Sequence, residues 1–517
     1  MKTIDIVIFA AYCTLVLFTG LFVSRRKKGT ARDAGDYFLA GRGLAWWAIG
    51  ASIIASNISA EQFVGMSGSG YAVGLSIAIY EWIAALGLII VAKFFIPVFL
   101  KKKIFTMPQF LEDRFDGRVK TVMAFFWLLV FVFINLTSIL YLGALTIEKV
   151  VGIPLWMGVV GLSLFALIYS VYGGLKAVAL TDVIQVVFLV AGGLLTAYIA
   201  LNMVGGDGGV INGFTSLYSQ AQDKFHLILD KSNPGYTDLP GIRVILGGLW
   251  VANLYYWGCN QYIIQRALAA KSVREAQYGM VFAGFIKLLV PLIVVIPGIA
   301  VFALHAPIAK PDEAYPWLLG NVLPTGVKGL AFAALTAAIV SSLASMMNSI
   351  STIFTMDIYR SKTRNKLSQS DLVRVGRIVS AVSLIIAALI APMLTGLNQA
   401  FQYIQEFTGF ISPGALAIFL AGIFYRRATA NGALAAAAGT FVFSVVFKFC
   451  FPGMPFLDRM GIVFLLCCGL IILMSRRPTL QGAPAVDAGY EWKTTPLFNI
   501  LSVIIIAILV MFYFLWW

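Results

Sequence analysis

The chain has 517 residues, 60% of them apolar and only 12% charged, with a mean hydropathy of +0.89. A soluble globular protein carries about half apolar and about a quarter charged residues, so that class is excluded and a polytopic helical membrane protein remains. The formal charge of +15 would suit a nucleic-acid partner, but its placement along the chain assigns it to membrane topology.

At roughly 20 residues per span, the apolar content caps the helices near fifteen. The apolar stretches predict fourteen: 4–24, 46–70, 75–98, 120–147, 154–173, 179–204, 242–265, 276–304, 327–356, 375–394, 399–424, 430–449, 457–474 and 496–516. In the first, Lys2 stands alone before the apolar run and Arg25-Arg26-Lys27-Lys28 follow it. A signal peptide has the opposite polarity, so this helix is retained as an anchor with its amino terminus outside. On that orientation the cytoplasmic segments 25–45, 99–120, 173–178, 266–275, 357–378, 425–430 and 475–495 hold 27 of the 38 Lys and Arg. Positive residues favour the cytoplasmic side, so the asymmetry supports both the count and the orientation. Both termini are then outside. The closing run Phe512-Tyr-Phe-Leu-Trp-Trp517 reads as an interfacial aromatic belt.

Span 2 contains Asn57, Glu61, Gln62, Gly65, Gly68 and Gly70. Irregular or polar backbone at membrane depth is tolerated where it lines protein or a water-filled cavity; close packing through small residues explains the glycines but not three polar side chains in six positions. Span 7 repeats the theme with Asn253, Asn260 and Gln261. Interrupted helices in corresponding positions of two halves point to a secondary-transporter site. The longest gap, 205–241, is too short for a catalytic domain, so function lies between helices. Glu81 and Lys287 are intramembrane ionisable groups, functional candidates by cost alone; pairing with each other for structure is the lesser alternative and does not exclude ligand contact. Ser341 and Ser342 form a hydroxyl pair in an apolar span, suited either to helix packing or to a hard cation that takes oxygen ligands. Asp182, after Thr181, reads as a helix N-cap.

The runs Asp36-Tyr-Phe-Leu-Ala-Gly41, Ala55-Ser-Asn-Ile-Ser-Ala-Glu-Gln-Phe63, Gly247-Gly-Leu-Trp-Val-Ala-Asn-Leu-Tyr-Tyr-Trp257, Ala337-Ala-Ile-Val-Ser-Ser-Leu-Ala-Ser345 and Phe401-Gln-Tyr-Ile-Gln-Glu406 resemble the sodium/solute symporter family. So do Tyr172-Gly-Gly-Leu-Lys-Ala-Val178 and Arg427 with Gly432-Ala433; the similarity runs from about residue 4 to 475. The resemblance implies an all-α fold with a leucine-transporter-type five-plus-five inverted-repeat core. Its expected divisions are an extra amino-terminal helix and loop (1–45), a first repeat (46–204), an external loop (205–241), a second repeat (242–425) and extra carboxy-terminal helices (426–517).

It also implies a sodium-coupled symporter importing a galactose- or glucose-type monosaccharide by alternating access. A non-sugar solute such as an amino acid, a sialic acid or an inositol is the alternative. The family's sugar positions fall on Asn57, Gln62, Glu81, Asn253, Lys287 and Gln405, amides and charges that offer donors and acceptors together. Its gates fall on Met66, Tyr80 and Phe401 outside and Tyr256 inside, its sodium ligands on Ala55, Ile58, Ala338, Ser341 and Ser342, and its inward ion path on Asp182. Arg266 is expected as a positive-inside or gate residue. Ala84 departs from the pattern, which has a hydroxyl there. No cofactor beyond the coupling ion, no nucleic acid and no obligatory protein partner are expected besides the bilayer. The two histidines and five cysteines show no metal-ligand spacing. No nucleophile, base and metal stand together as an enzyme needs, and no symmetric filter ring suggests a channel.

Overall fold

The computed structural model describes residues 2–24, 34–206, 208–363, 368–397, 399–475 and 492–517. The basic run Arg25–Lys28 lies outside the described residues, as do the side chains of Tyr172, Gly173, Gly174 and Ala177 in the quoted signature. The fold is built from helices. The β-type pairing recorded among the described residues is a single bridge, Leu44 with Ala270.

The elements that position the site are α1 (Thr3–Ser24), α2 (Trp46–Asn57), α3 (61–73), α4 (Ile79–Phe94), α5 (Gly117–Val151), α6 (Leu155–Val204), α7 (Gly248–Gly258) and α8 (Gln261–Leu268). They continue with α9 (Val273–Ala303), α10 (Val327–Tyr359), α11 (Gln369–Gly396), α12 (Ala400–Thr408), α13 (Ser412–Phe424), α14 (Ala430–Cys450), α15 (Phe456–Met474) and α16 (Pro496–Leu515). Nine stretches of described residues are long and apolar enough to cross a membrane, and α12 with α13, bent by 45°, makes a tenth. That is fewer than the fourteen expected: spans 2 and 7 are broken into short halves, and 4–24 and 154–173 qualify only as the shorter described stretches Thr3–Val16 and Leu155–Ile168. One of the nine, Glu61–Phe94, spans two elements: Gly74 adopts φ +78, ψ −150, and a Cβ there would lie 2.3 Å from the Lys224 carbonyl oxygen. Only glycine accepts that conformation and that approach.

Burial sorts the helices by role. In α10 94% of the most apolar window is buried, against 22% in α16 and 28% in α11 and α14. The core is α2, α3, α4, α9 and α10, with α6 packed along α10 and α1 against both. The Asp5 carboxylate of α1 accepts from the Gly326 and Gly329 amides at 2.7 and 3.1 Å, holding orphan donors at the start of α10. The expected cytoplasmic turn at 173–178 is not a break: helix runs through it from Leu155 to Val204. Asp182 therefore sits inside a helix and is not an N-cap.

The break in span 2 has a local cause. α2 ends at Asn57, and Ile58 is extended at φ −76, ψ 104. The next helix starts on a capping box at Ser59-Ala-Glu-Gln62: the Ser59 hydroxyl accepts from the Glu61 amide at 3.1 Å, while Gln62 Oε1 accepts from the Ser59 amide at 3.0 Å. The first turns of this second half, Glu61–Met66, are widened π-type turns, a feature that recurs at functional sites. Span 7 is also broken, at Cys259–Asn260, where Asn260 is extended at φ −84, ψ 119. Of the polar residues that mark span 7 in the sequence, Asn260 and Gln261 flank the break and Asn253 lies within α7.

Candidate functional site

A cavity with about 560 Å³ of atom-free space lies between the broken helices. It is lined by Asn57, Glu61 and Gln62 of the first break, Tyr80, Glu81 and Ala84 of α4, Asn253, Tyr255, Tyr256 and Trp257 of α7, and Phe401, Gln405, Thr408 and Ser412 of α12 and α13. Five elements distant in sequence thus place their polar positions on one space.

Behind this lining, Lys287 of α9 is wholly buried and donates to both Glu81 Oε2 and Asn57 Oδ1. Asn57 in turn donates through Nδ2 to the Tyr256 hydroxyl at 2.8 Å, and Tyr256 is hydrogen-bonded to the Tyr262 hydroxyl. The chain Glu81–Lys287–Asn57–Tyr256–Tyr262 fixes the orientation of each member, as satisfied buried networks do. Asn253 is held within its own helix, donating to the Leu249 carbonyl and accepting from Trp257 Nε1, each at 3.1 Å. Tyr80 and Phe401, both on the cavity lining, meet edge to face with centroids 5.3 Å apart.

A second polar centre sits one turn down the same broken helix. The Ser342 hydroxyl reaches the Ser56 carbonyl at 3.0 Å and the Ala55 carbonyl at 3.4 Å. Both oxygens belong to the last turn of α2 and lose helical partners at the break. The Ser341 hydroxyl donates to Asp182 Oδ1 at 2.5 Å, while Asp182 Oδ2 accepts from Ser52. Arg266, buried and not a surface charge, donates to Ser52, to the Tyr262 carbonyl and to Ser345, tying α8 to α2 and α10. Hydroxyls and carbonyls of this kind are the donor set for a hard monovalent cation; among the described residues no group of three or more His, Cys, Asp or Glu could hold a metal.

Residues 37–439 match the sequence model of the Sodium:solute symporter family. The chain belongs to the sodium:solute symporter family. It is 51% identical to a sodium/glucose cotransporter of Vibrio parahaemolyticus over all of this chain and 99% of that protein. It is 34% identical to sodium/myo-inositol cotransporter 2 of Oryctolagus cuniculus, over 83% of this chain and 67% of that one. A solved Na⁺-coupled sialic acid symporter, substrate-bound and outward-open, superposes with a TM-score of 0.80 at 25% identity, covering 92% and 98% of the two chains. The fold is the leucine-transporter-type five-plus-five inverted repeat of sodium-coupled symporters.

Of the positions expected for this family's sugar site, Asn57, Gln62, Glu81, Asn253 and Gln405 line the cavity, whereas Lys287 stands behind Glu81. Among the gate positions Tyr80, Phe401 and Tyr256 line it and Met66, fully buried, does not. Gln62 spends its carbonyl oxygen on the capping box and has only its amide nitrogen to offer. Glu61 lines the cavity without having been assigned a role; the signal for it was the same run of polar residues, in which the resemblance drew attention to its neighbour.

The connection between α9 and α10 supplies a latch over the Phe401 side. Asp312, in the short helix Pro311–Glu313, is buried, and its Oδ2 accepts from the Ala400 amide at the start of α12 at 2.8 Å. Gly68 of α3 sits against this loop so closely that a Cβ would meet Pro311 and Asp312 at 2.8–2.9 Å. Burial pushes the Asp312 carboxyl up to about 7, with Glu313 adding to the rise and the Ala400 hydrogen bond and Lys310 opposing it. A carboxyl raised in the packed state favours packing below its ordinary value near 3.8 and loses that contribution as pH climbs to about 7. Amide hydrogen exchange of residues 400–408, corrected for intrinsic rates, should therefore be slower at pH 5.5 than at 7.5. Asp312→Asn should remove the difference; an unchanged pH dependence in that variant would assign it to another group.

Proposed function

We propose that the chain imports a monosaccharide of the galactose or glucose type together with sodium, by alternating access. One observation carries this reading. The broken segment 55–62 presents the Ala55 and Ser56 carbonyls to Ser342 on one side and Asn57, Glu61 and Gln62 to the cavity on the other. An ion that pins the break also fixes the cavity's donors and acceptors, so the two ligands favour the same conformation, the requirement for coupled binding.

Sodium takes the oxygens of Ala55, Ile58, Ala338, Ser341 and Ser342, and Asp182 lies on its way inward. The sugar's hydroxyls take Asn57, Gln62, Glu81, Asn253 and Gln405, with Lys287 holding two of these in place. Tyr256 offers a face for the ring's C–H side, and Tyr80 with Phe401 forms the outer gate. The repeats 46–204 and 242–425 move against each other, in a bacterial inner membrane with both termini outside. A carboxylate-bearing solute would meet two glutamates against one lysine at this cavity, which favours the uncharged sugar over a sialic acid. An inositol presents the same ring of hydroxyls and is the competing solute to test.

In proteoliposomes, uptake of labelled glucose or galactose should require an inward sodium gradient and should collapse when potassium or choline replaces sodium at matched pH. Equal uptake in all three salts would sink the sodium coupling. Uptake of myo-inositol in preference to either hexose would reassign the substrate within the same machine.

Ala84 lines the cavity three residues after Glu81. Ala84→Ser adds a hydroxyl there, and a net hydrogen bond is worth about 0.5–1.5 kcal/mol. The expected result is a few-fold change in the preference between galactose and glucose, read from their apparent affinities side by side. Identical affinities before and after would remove this position from the sugar's surroundings.

A further inference from the structure

Among the described residues two glutamates, Glu61 and Glu81, line the cavity and one lysine, Lys287, stands behind it, so the carboxyl groups outnumber the amine. Glu81 and Lys287 are bonded to each other. Glu61 is 6% exposed, lines the cavity, and makes no ion pair among the described residues. Its Oε1 is sealed from solvent without a hydrogen-bond partner. The other groups on this lining that carry a titratable proton are the hydroxyls of Tyr80, Tyr255 and Tyr256, which are neutral at physiological pH.

Glu61 is also placed where a carboxylate is supported. It stands in the first turn of the helix that restarts after the break, with its own amide bonded to Ser59. Negative charge near a helix N-terminus is favoured by the aligned peptide dipoles. The backbone therefore lowers the cost of ionising this buried carboxyl when a cation comes to lie beside it, without itself supplying the counter-charge. A membrane-embedded carboxylate with no partner is a candidate for ligand contact, and this one faces the space the sugar would take.

We propose that Glu61 is a further substrate-contacting residue and that its unpaired carboxylate opens the transporter to a second substrate class, 2-amino-2-deoxyhexoses carried as ammonium cations. The proposal rests on the hexose reading above: ring hydroxyls meet the amides and Glu81, while the ammonium meets Glu61. An ammonium at a carboxylate makes a charge-assisted hydrogen bond, about twice as strong as a neutral one. The same carboxylate can accept from the hydroxyls of an uncharged hexose, so the two classes compete for one site.

The test uses the full-length protein in proteoliposomes under a sodium gradient, with unlabelled glucosamine and galactosamine competing against labelled glucose and galactose at pH 6.5 and 8.5. The amine titrates in this window if it behaves as an α-amino group does, near about 7.7–8.0. The amino sugars should compete at pH 6.5 at least as well as the parent hexoses and clearly less well at pH 8.5. Glu61→Gln should weaken that competition at pH 6.5 by at least about tenfold while moving the neutral hexoses only a few-fold, and Glu61→Asp should fall between. If Glu61→Gln fails to fold, the graded loss in Glu61→Asp decides.

Amino sugars that fail to compete at both pH values would overturn the proposal, as would amino-sugar competition untouched by Glu61→Gln. Acid-stimulated hexose uptake that Glu61→Gln abolishes, with no amino-sugar competition, would make Glu61 a proton carrier and overturn it equally. Failure of neutral hexose uptake in the wild type would count against the hexose reading alone. Direct uptake of labelled glucosamine would then decide the role of Glu61.

Discussion

Lys287→Met should abolish transport and lose about 3–5 kcal/mol of stability, the cost of leaving one buried member of an ion pair without the other. Lys287 is fully buried and Glu81 nearly so, and the ammonium also holds the Asn57 side-chain oxygen. With the lysine gone, Glu81 keeps its charge among apolar neighbours or takes a proton, and Asn57 loses the contact that orients it toward Tyr256. Lys287→Met/Glu81→Leu removes both charges together, and such paired replacements are often neutral for stability. The double variant should therefore recover its thermal unfolding midpoint in detergent yet remain inactive, because Glu81 lines the cavity. A double variant that also regained uptake would show that the pair is only a structural clasp. A single variant with normal stability and transport would mean that the pair contributes to neither.

Much of this arrangement is legible in the chain itself, for physical reasons that differ from residue to residue. The breaks in spans 2 and 7 announce themselves because polar side chains in a twenty-residue apolar run need water or protein around them. In span 7 the polar residues Asn253, Asn260 and Gln261 together mark the interruption, and the backbone opens at Asn260, after the helical hydrogen bonds of α7 end at Cys259. The origin of the first break could have been read from Ser59-Ala-Glu-Gln62, whose spacing is that of a capping box. The same motif explains why Gln62 has only half its amide free.

Asp182 after Thr181 satisfies the composition of an N-cap, but composition does not reveal that the preceding turn stays helical. Its hydroxyl partners, Ser52 and Ser341, are 130 and 159 residues away, and no local pattern reports on such distances. Arg266 was counted with the cytoplasmic charges for a similar reason: a basic residue near a span end looks solvated until the helices that cover it are packed. Met66 has the right residue type for a lid and follows Gln62 by four, which on a regular helix would place it over the cavity. The widened turns at Glu61–Met66 change that register, and it is buried away from the space.

Ser342→Ala should weaken the apparent sodium affinity by roughly 5- to 150-fold, which corresponds to about 1–3 kcal/mol of lost ligation at about 1.4 kcal/mol per decade. The substitution slightly improves helix propensity and changes packing volume little, so a serine that merely packs helices predicts near-normal protein and transport. The hydroxyl of Ser342 spans to the Ser56 and Ala55 carbonyls freed at the break, and Ser342 and Ala55 are two of the positions proposed to hold the ion. Ser341→Ala should act in the same direction through a different contact, since it also strips Asp182 of one of its two hydroxyl donors. Linkage is reciprocal, so in both variants sugar binding should weaken at fixed subsaturating sodium. It should recover as sodium is raised, because Asn57, Glu81 and Gln405 are untouched. The deciding measurement is sugar affinity as a function of sodium concentration for the wild type and each variant. Curves displaced along the sodium axis and converging at saturation establish these serines as ion ligands coupled to the sugar site; curves that superimpose throughout would reduce them to helix packing.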